Sequence, residues 1–517
     1  MDNLNNLARN PPNIQRQIIS QNNQIPSYCN YTRSLRIIFS LFAFILLSLI
    51  IIVDAKTIII SSHYLFHTDF FKFYQSVRFY FAGQNIYDKV VFPLSQYEVS
   101  IWHSKVLLLN NDLNPPFFTV LLLPTVWLSY SSALLSWSAL SLICTIAALL
   151  LIIKQNQILW HSSAQLLWLL GGLLIYFPNY LNLYIGQLSG LLLLLTILAL
   201  HACRQNKQRV AGILLGFLLS IKLFYGLFIF LFVVRRQWQL LGAMLSTFII
   251  CSVSGLWLFG IDTYKIYLLN LHKIYWYSAN WNGSLLGFLS RLLGGNHEGN
   301  VPVINLPFLT QPCYLVISSI LMVYFVLLIR SNGARNVNEG QLSQLNQSIN
   351  LMSRNKQNIS QISTQCHNND NLDWQFSLTI TLMLLMSPLG WIYYFPLLII
   401  PFITIARLSV NLKGFNANII ILSVIIILSG LPCHYHMPME ITQPLMVFSW
   451  GSYYFYALVL LLFLLSRVRG QINHKQFING HEKGASHMSS QMCRLIISIS
   501  ALPSLLAFIV ACKNYLF

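Results

Sequence analysis

The chain has 517 residues, 56% of them hydrophobic and only 9% charged, against about 25% charged in an ordinary soluble domain. It lacks the polar cover that a water-facing surface needs, so lipid is its solvent. The formal net charge of +18 sits in short Lys/Arg clusters beside apolar runs, as in cytoplasmic loops that fix orientation; no single basic module gathers it, which excludes a nucleic-acid partner.

In chain order, residues 1–34 are polar and Asn/Gln-rich. They lack the early apolar region of a cleavable leader, so the first span, near 35–54, is expected to be a retained anchor with a cytoplasmic N-terminus. Residues 55–114 then lie outside. Apolar runs of the length a helix needs to cross a bilayer, or close to it, follow. They fall near 115–129, 131–153, 164–180, 187–203, 210–234, 239–260 and 312–330, with an outer loop at 261–311. This 35–330 stretch is the principal membrane domain. Residues 331–374 are rich in Asn, Gln and Ser, and their composition suits a disordered cytoplasmic linker. Residues 375–517 supply further spans near 375–393, 395–407, 418–432, 447–466 and 495–512, with a cytoplasmic loop at 467–494. The short alternating segments of a β-barrel are absent. The expected fold class is all-α, a polytopic bundle of about 11–13 spans with extracytoplasmic juxtamembrane helices.

One conflict in this layout is informative. Residues 210–234 carry basic clusters at both ends, Arg204–Arg209 and Arg235-Arg236, yet a single crossing cannot leave both ends in the cytoplasm. Gly212, Gly216 and Gly226 surround Lys222, a lysine deep in a hydrophobic run. A helical hairpin entering and leaving from one side, and turning at Lys222, resolves the conflict. Broken backbone at membrane depth survives where protein or a wet cavity surrounds it, so a cavity is expected at Lys222.

The chain has thirteen acidic residues, none inside a confident span. Eight fall outside: Asp54, Asp69, Asp88, Glu98, Asp112, Asp262, Glu298 and Glu440. A proton-driven pump would bury carboxylates at mid-membrane. The segment from His67 to Gly83 reads as a surface helix that Thr68 or Asp69 caps and Gly83 ends. A carboxylate at such a helix start is held ionised by the backbone dipole and can take a proton from a sugar hydroxyl; the plain alternative is that Asp69 is only a cap. Lys222 can neutralise a phosphate arriving from the lipid, and snorkelling to an interface would need about 20 Å of helix. His272, Lys273 and Arg291 are further cation candidates in the outer loop. Cys433-His434-Tyr435-His436 lacks a further spaced ligand, and the nine cysteines show no CxxC pair, so neither a metal nor a cofactor is expected. Asn30-Tyr-Thr, Asn346-Gln-Ser and Asn358-Ile-Ser fit the glycosylation sequon but fall on the cytoplasmic side.

Five stretches in this order resemble glycosyltransferase family 87, GT-C-class membrane enzymes that use polyprenyl-phosphate sugars. They are Asp69-Phe70…Tyr74…Gly83…Tyr87-Asp88; Asn114-Pro115-Pro116-Phe117; Asn182-Leu-Tyr-Ile-Gly186-Gln187; Ala211-Gly212…Gly216…Lys222; and Asn282-Gly-Ser284 with Ser387-Pro388…Trp391. The likeness runs from about residue 35 to 410. Two features depart from the family pattern: Leu223 stands where a proline is usual, and Tyr393-Tyr394 stand where two histidines are usual.

The resemblance implies a hexosyltransferase, with mannose the default sugar. A polyprenyl-phosphate sugar is the donor, a lipid or glycan the acceptor, and membrane lipids surround both. Asp69 is the general base of an inverting attack, and Lys222 with Arg291 holds the donor phosphate. Tyr74, Tyr87, Asp88, Asn182, Gln187, Asn282, Trp391, Tyr393 and Tyr394 are the implied substrate-binding residues. The expected location is the bacterial inner membrane, with the site on the extracytoplasmic face. Two other functions fit the same composition: a flippase or transporter of lipid-linked saccharides, which inverted repeats would favour, and a surface-glycan ligase or polymerase.

Overall fold

The computed structural model describes residues 68–88, 90–93, 106–109, 112–155, 176–271, 277–294, 302–349, 354–409, 415–432 and 451–478, with isolated positions at 41–59, 171–174 and 274. Most of the first expected span, most of the 164–175 run, and all of His272, Lys273, Cys433–His436 and the 495–512 span lie outside these residues. So do Asp54, Glu98, Glu298 and Glu440.

Chain order begins with a short helix, α1 (Phe70–Phe81), followed by an antiparallel ribbon of β1 (Val90–Pro93) and β2 (Val106–Leu109) that pairs Val90 with Leu109. That ribbon is an addition to the all-α expectation. It lies in the loop between α1 and α2. Next come α2 (Pro116–Leu122), extended by a 3-10 turn to Trp127, α3 (Tyr130–Gln155), α4 (Phe177–Tyr184), α5 (Ser189–Arg204) and α6 (Gln208–Ile221). The chain continues as α7 (Leu227–Val234), α8 (Trp238–Leu271), α9 (Leu285–Leu293), α10 (Thr310–Ile349) and α11 (Arg354–Met386). A 3-10 stretch, Ile392–Leu398, leads into α12 (Ile399–Ser409), and α13 (Phe415–Gly430) and α14 (Tyr453–Ile478) complete the described chain.

The fold is a polytopic helical membrane bundle. Among the described residues, five segments are long and apolar enough to cross a bilayer: Tyr130–Gln155, Trp238–Leu271, Pro307–Arg330, Ile392–Ser409 and Tyr453–Ile472. Shorter apolar helices fill in between them. Residues 331–349 and 354–374 differ from the linker expectation, because they continue α10 and α11 as helix. No proline interrupts 331–374, and Asn, Gln and Ser lower helix propensity only modestly. At Asp373 and Trp374 that helix is already fully buried in the bundle.

The hairpin read from the charge pattern has a direct structural counterpart. Along α6, Gly212 lies against the backbone of Leu240 and the side chain of Ala243, and Gly216 against Met244 and Thr247. Both positions advance in the same direction, so α6 and α8 run parallel. The chain between them must therefore return to the end from which it started. α6 rises over 14 residues, about 21 Å; the backbone breaks at Lys222 (φ −140°, ψ 109°), and α7 comes back to Arg235-Arg236. The missing side chains at Gly212 and Gly216 let the two helices touch backbone to backbone.

The two ends of the bundle differ in chemistry. At the basic end Arg204 grips Asp373 with two bonds (Nε to Oδ1 2.7 Å, Nη2 to Oδ2 2.6 Å), and Arg407 adds 2.5 Å to Asp373 Oδ2 and 2.7 Å to Asp370. Arg235 reaches Gln375 there as well. The opposite end holds Lys222, the start of α1 and the loop ahead of α2. In α8 the chain turns at Gly260 (φ 78°). Tyr264 then folds back to donate 2.7 Å to Ser252 O, and Tyr267 stacks on Tyr87. The segment after Gly260, expected as loop, is thus a helical turn-back laid against the first loop.

Candidate active site

α1 is held in place by its apolar face. Phe70, Phe73 and Val77 are buried against Phe118 of α2 and Trp137 of α3. The Phe70 N–H donates to Ile185 O at 3.1 Å, which ties the start of α1 to the corner between α4 and α5. Asn182 makes that corner rigid: its Oδ1 accepts from Ser189 N–H at 2.8 Å and its Nδ2 donates to Ser141 Oγ at 3.0 Å. Trp137 Nε1 donates to Gly186 O at 3.0 Å.

These ties set Asp69 beside Gln187. Asp69 caps nothing; its backbone is helical and its side chain makes no cap bond, so the plain reading of this residue fails. Oδ2 accepts from Gln187 Nε2 at 2.8 Å, and Oδ1 from Lys72 Nζ at 3.0 Å. The carboxylate stays partly accessible, at 17% of its side-chain surface.

Gly186 sits at φ +69°, and a methyl group there would come within 2.5 Å of Phe70 Cβ and 2.9 Å of Leu134 Cδ1. Gly186→Ala is expected to cost about 1–3 kcal/mol and to pull Gln187 away from Asp69. Gly83→Ala is the control, because Gly83 has a similar φ (+73°) with nothing within 4 Å. Thermal unfolding midpoints of the two variants in detergent give the comparison, and a larger loss at Gly186 is the expected result.

Lys222 approaches from the hairpin tip. Tyr225 anchors the tip by sharing a 2.8 Å hydrogen bond with Thr196, and Lys222 Nζ lies 5.0 Å from the Tyr394 ring centroid, a cation–π arrangement. Tyr394 stacks at 11° on Trp391, whose Nε1 is buried without a hydrogen-bond partner among the described residues. Tyr393 packs on both rings, and its carbonyl accepts from Ser189 Oγ.

The loop before α2 brings Asp112 to the same place. Asp112 Oδ1 accepts from Asn114 N–H at 2.9 Å and from Asn114 Nδ2 at 2.6 Å. Burial holds the Asp112 carboxyl above the usual carboxylate range, opposed by the bonds from Asn114 and the positive charges of Lys222 and Lys72. Asp69, Asp112, Lys72 and Lys222 therefore form one electrostatic neighbourhood.

The other residues expected at the site hold its frame. Tyr74 donates to Leu128 O at 2.9 Å, Tyr87 to Asn114 O at 2.6 Å, and Asp88 accepts from Asn85 N–H at 3.1 Å in an exposed turn. Asn282 bonds Tyr277 O, Pro388 O and Ser284 N–H. Arg291, expected at the donor phosphate, is engaged by its own loop, with Nη2 left without a hydrogen-bond partner among the described residues. It is buried, donating to Ala279 O at 2.8 Å, Asn282 O at 3.1 Å and Ser452 Oγ at 3.0 Å, so it clamps the loop instead. Sequence reasoning passed over Lys72 and Asp112. The i,i+3 spacing of Lys72 from Asp69 was the signal for the first, and the Asp-x-Asn pattern ahead of Pro115-Pro116 was the signal for the second.

Residues 113–345 match the family profile described as Glycosyltransferase family 87. Over that stretch the chain is similar to glycosyltransferase family 87. The family 87 stretch carries Asn182, Gln187, Lys222, Asn282 and Arg291, while Asp69, Lys72, Asp112 and Trp391–Tyr394 lie outside it. Two curated relatives are both named polyprenol-phosphate-mannose-dependent alpha-(1-2)-phosphatidylinositol mannoside mannosyltransferase. The Mycobacterium tuberculosis protein is 27% identical over 202 residues, 36% of this chain and 46% of its own length. The Mycolicibacterium smegmatis protein is 24% identical over 193 residues, 34% and 43% respectively. The match thus spans less than half of either relative. No solved structure matches the chain.

Proposed function

We propose that this protein is a membrane hexosyltransferase that moves a sugar, by likeness to its relatives mannose, from a polyprenyl-phosphate donor to a hydroxyl of a lipid or glycan acceptor, at the extracytoplasmic face. The observation that carries this reading is the Asp69 carboxylate, freed from capping and gripped by Gln187 and Lys72, in one electrostatic neighbourhood with the hairpin-tip lysine.

The donor phosphate lies against Lys222 and Lys72, and Lys72 takes the role first expected of Arg291. The exposed apolar faces of α8 and α10, with Val253, Trp257, Leu315 and Ile320 all more than half exposed, face lipid and give the polyprenyl tail a place to lie. The acceptor hydroxyl approaches Asp69. Its oxygen attacks the anomeric carbon from the side opposite the phosphate, its proton passes to Asp69, and the bond to the phosphate oxygen breaks with its electron pair. The configuration inverts. The phosphate is already a good leaving group, so no second carboxyl is needed to protonate it, unlike glycoside hydrolysis. The two lysines stabilise the charge that grows on it.

The test is transfer by the purified full chain in proteoliposomes with polyprenyl-phosphate mannose and a lipid acceptor. A glycosidic product is expected. Lys222→Met should raise the KM for the donor about tenfold or more, the scale of a lost charge-assisted contact. Donor crossing the bilayer with no glycoside formed would refute the reading.

A further inference from the structure

The polar atoms of the site fall into two chemically opposite sets. Asp112 Oδ2, Asn114 Oδ1 and Gln187 Oε1 are each buried without a hydrogen-bond partner among the described residues. Their side chains belong to residues only 2–3% exposed. All three are acceptors. Lys222 Nζ, Lys72 Nζ and Trp391 Nε1 are donors. A buried acceptor left unanswered costs free energy comparable to a lost hydrogen bond, so three together call for a ligand that presents several donors. A phosphate presents none at neutral pH and belongs with the lysines. A carbohydrate ring presents several hydroxyls on adjacent carbons.

Asp112 is the strongest member of the acceptor set. One carboxylate oxygen is occupied by Asn114, which fixes its plane; the other is unused. The positive charges of Lys222 and Lys72 both act on it, yet no ion pair joins it to either lysine among the described residues. A sugar bonded directly to a phosphate held by Lys222 would place its ring within reach of Asp112, whereas the acceptor hydroxyl must go to Asp69.

We propose that Asp112, with Asn114 beside it, is the specificity-determining residue for the transferred sugar, its free Oδ2 accepting a hydroxyl of the donor hexose. This rests on the donor assignment made above. Asp112 then separates hexoses by which hydroxyl they offer at that position, as a site built to bond a hydroxyl rejects the analogue lacking it.

The experiment measures Kd of the full chain in detergent for polyprenyl phosphate and for polyprenyl-phosphate mannose. Wild type is expected to bind the sugar-bearing lipid about 10–100-fold more tightly than the bare one. Asp112→Asn should erase most of that advantage while the bare-lipid Kd holds or tightens slightly as a nearby negative charge is lost, whereas Lys222→Met should weaken both. Equal weakening of both ligands by Asp112→Asn, or an intact sugar advantage, overturns the proposal. Wild type with monodeoxy donors gives an answer independent of any variant's folding. One deoxy position should forfeit the advantage, and uniform affinity across all of them overturns the assignment. A sugar advantage that depends on Asp112, in a chain that forms no glycoside, would refute the transferase reading and leave this inference standing.

Discussion

Asp69→Asn is expected to slow sugar transfer about 10²–10⁴-fold, the usual contribution of a positioned general base. Donor binding should hold or tighten slightly. The substitution keeps the size of the side chain and one acceptor oxygen, which can still meet Gln187 Nε2 or Lys72 Nζ. Proton affinity is lost, so the acceptor hydroxyl attacks unassisted. Removing a negative charge near the phosphate also lowers repulsion toward the donor. Initial rates and KM measured in proteoliposomes separate these effects. A purely structural role predicts the reverse pattern, a lower unfolding midpoint with the turnover of the folded fraction unchanged. Normal turnover would remove Asp69 from the chemistry.

Asp373→Ala carries the largest expected effect on stability, about 3–5 kcal/mol. Asp373 is fully buried and receives both Arg204 of α5 and Arg407 of α12. Truncating it strips Arg204 of its carboxylate and leaves Arg407 only the half-exposed Asp370 as counter-charge, at the junction of the N-terminal helices with α11 and α12. The check is the thermal unfolding midpoint in detergent, compared with the combined variant Arg204→Met, Asp373→Leu, Arg407→Met. Replacing a whole buried ion group by apolar side chains is often neutral, so the combined variant should regain most of the loss. This clasp lies at the far end of the bundle from Asp69, and folded Asp373→Ala protein should keep its turnover.

The bundle itself was legible because apolar runs and flanking charges follow from the solvent. The hairpin at Lys222 was legible for the same reason: charge at both ends of one run admits few paths. Asp69 could be found from its place at a helix start, although its partners there, Gln187 from a distant corner and Lys72 one turn on, come from tertiary packing. Arg291 shows the limit. A cation in an outer loop looks free in the sequence, and only the folded loop reveals the carbonyls of Ala279 and Asn282 that occupy it. Asp112 shows the converse. It looked like one outer acid among eight, and burial by the loop ahead of α2 gives it its unused oxygen. The helix over 331–349 and 354–374 was hidden because polar composition speaks to burial more than to backbone conformation.

The account turns on a lipid phosphate seated at the tip of the re-entrant hairpin. A density map of the full chain in nanodiscs with polyprenyl-phosphate mannose tests it most directly. The expected map has the phosphate in contact with Lys222 and Lys72, and the sugar ring between Asp112 and Asp69. A head group bound instead among Arg204, Arg235 and Arg407, with the hairpin tip empty, would contradict it.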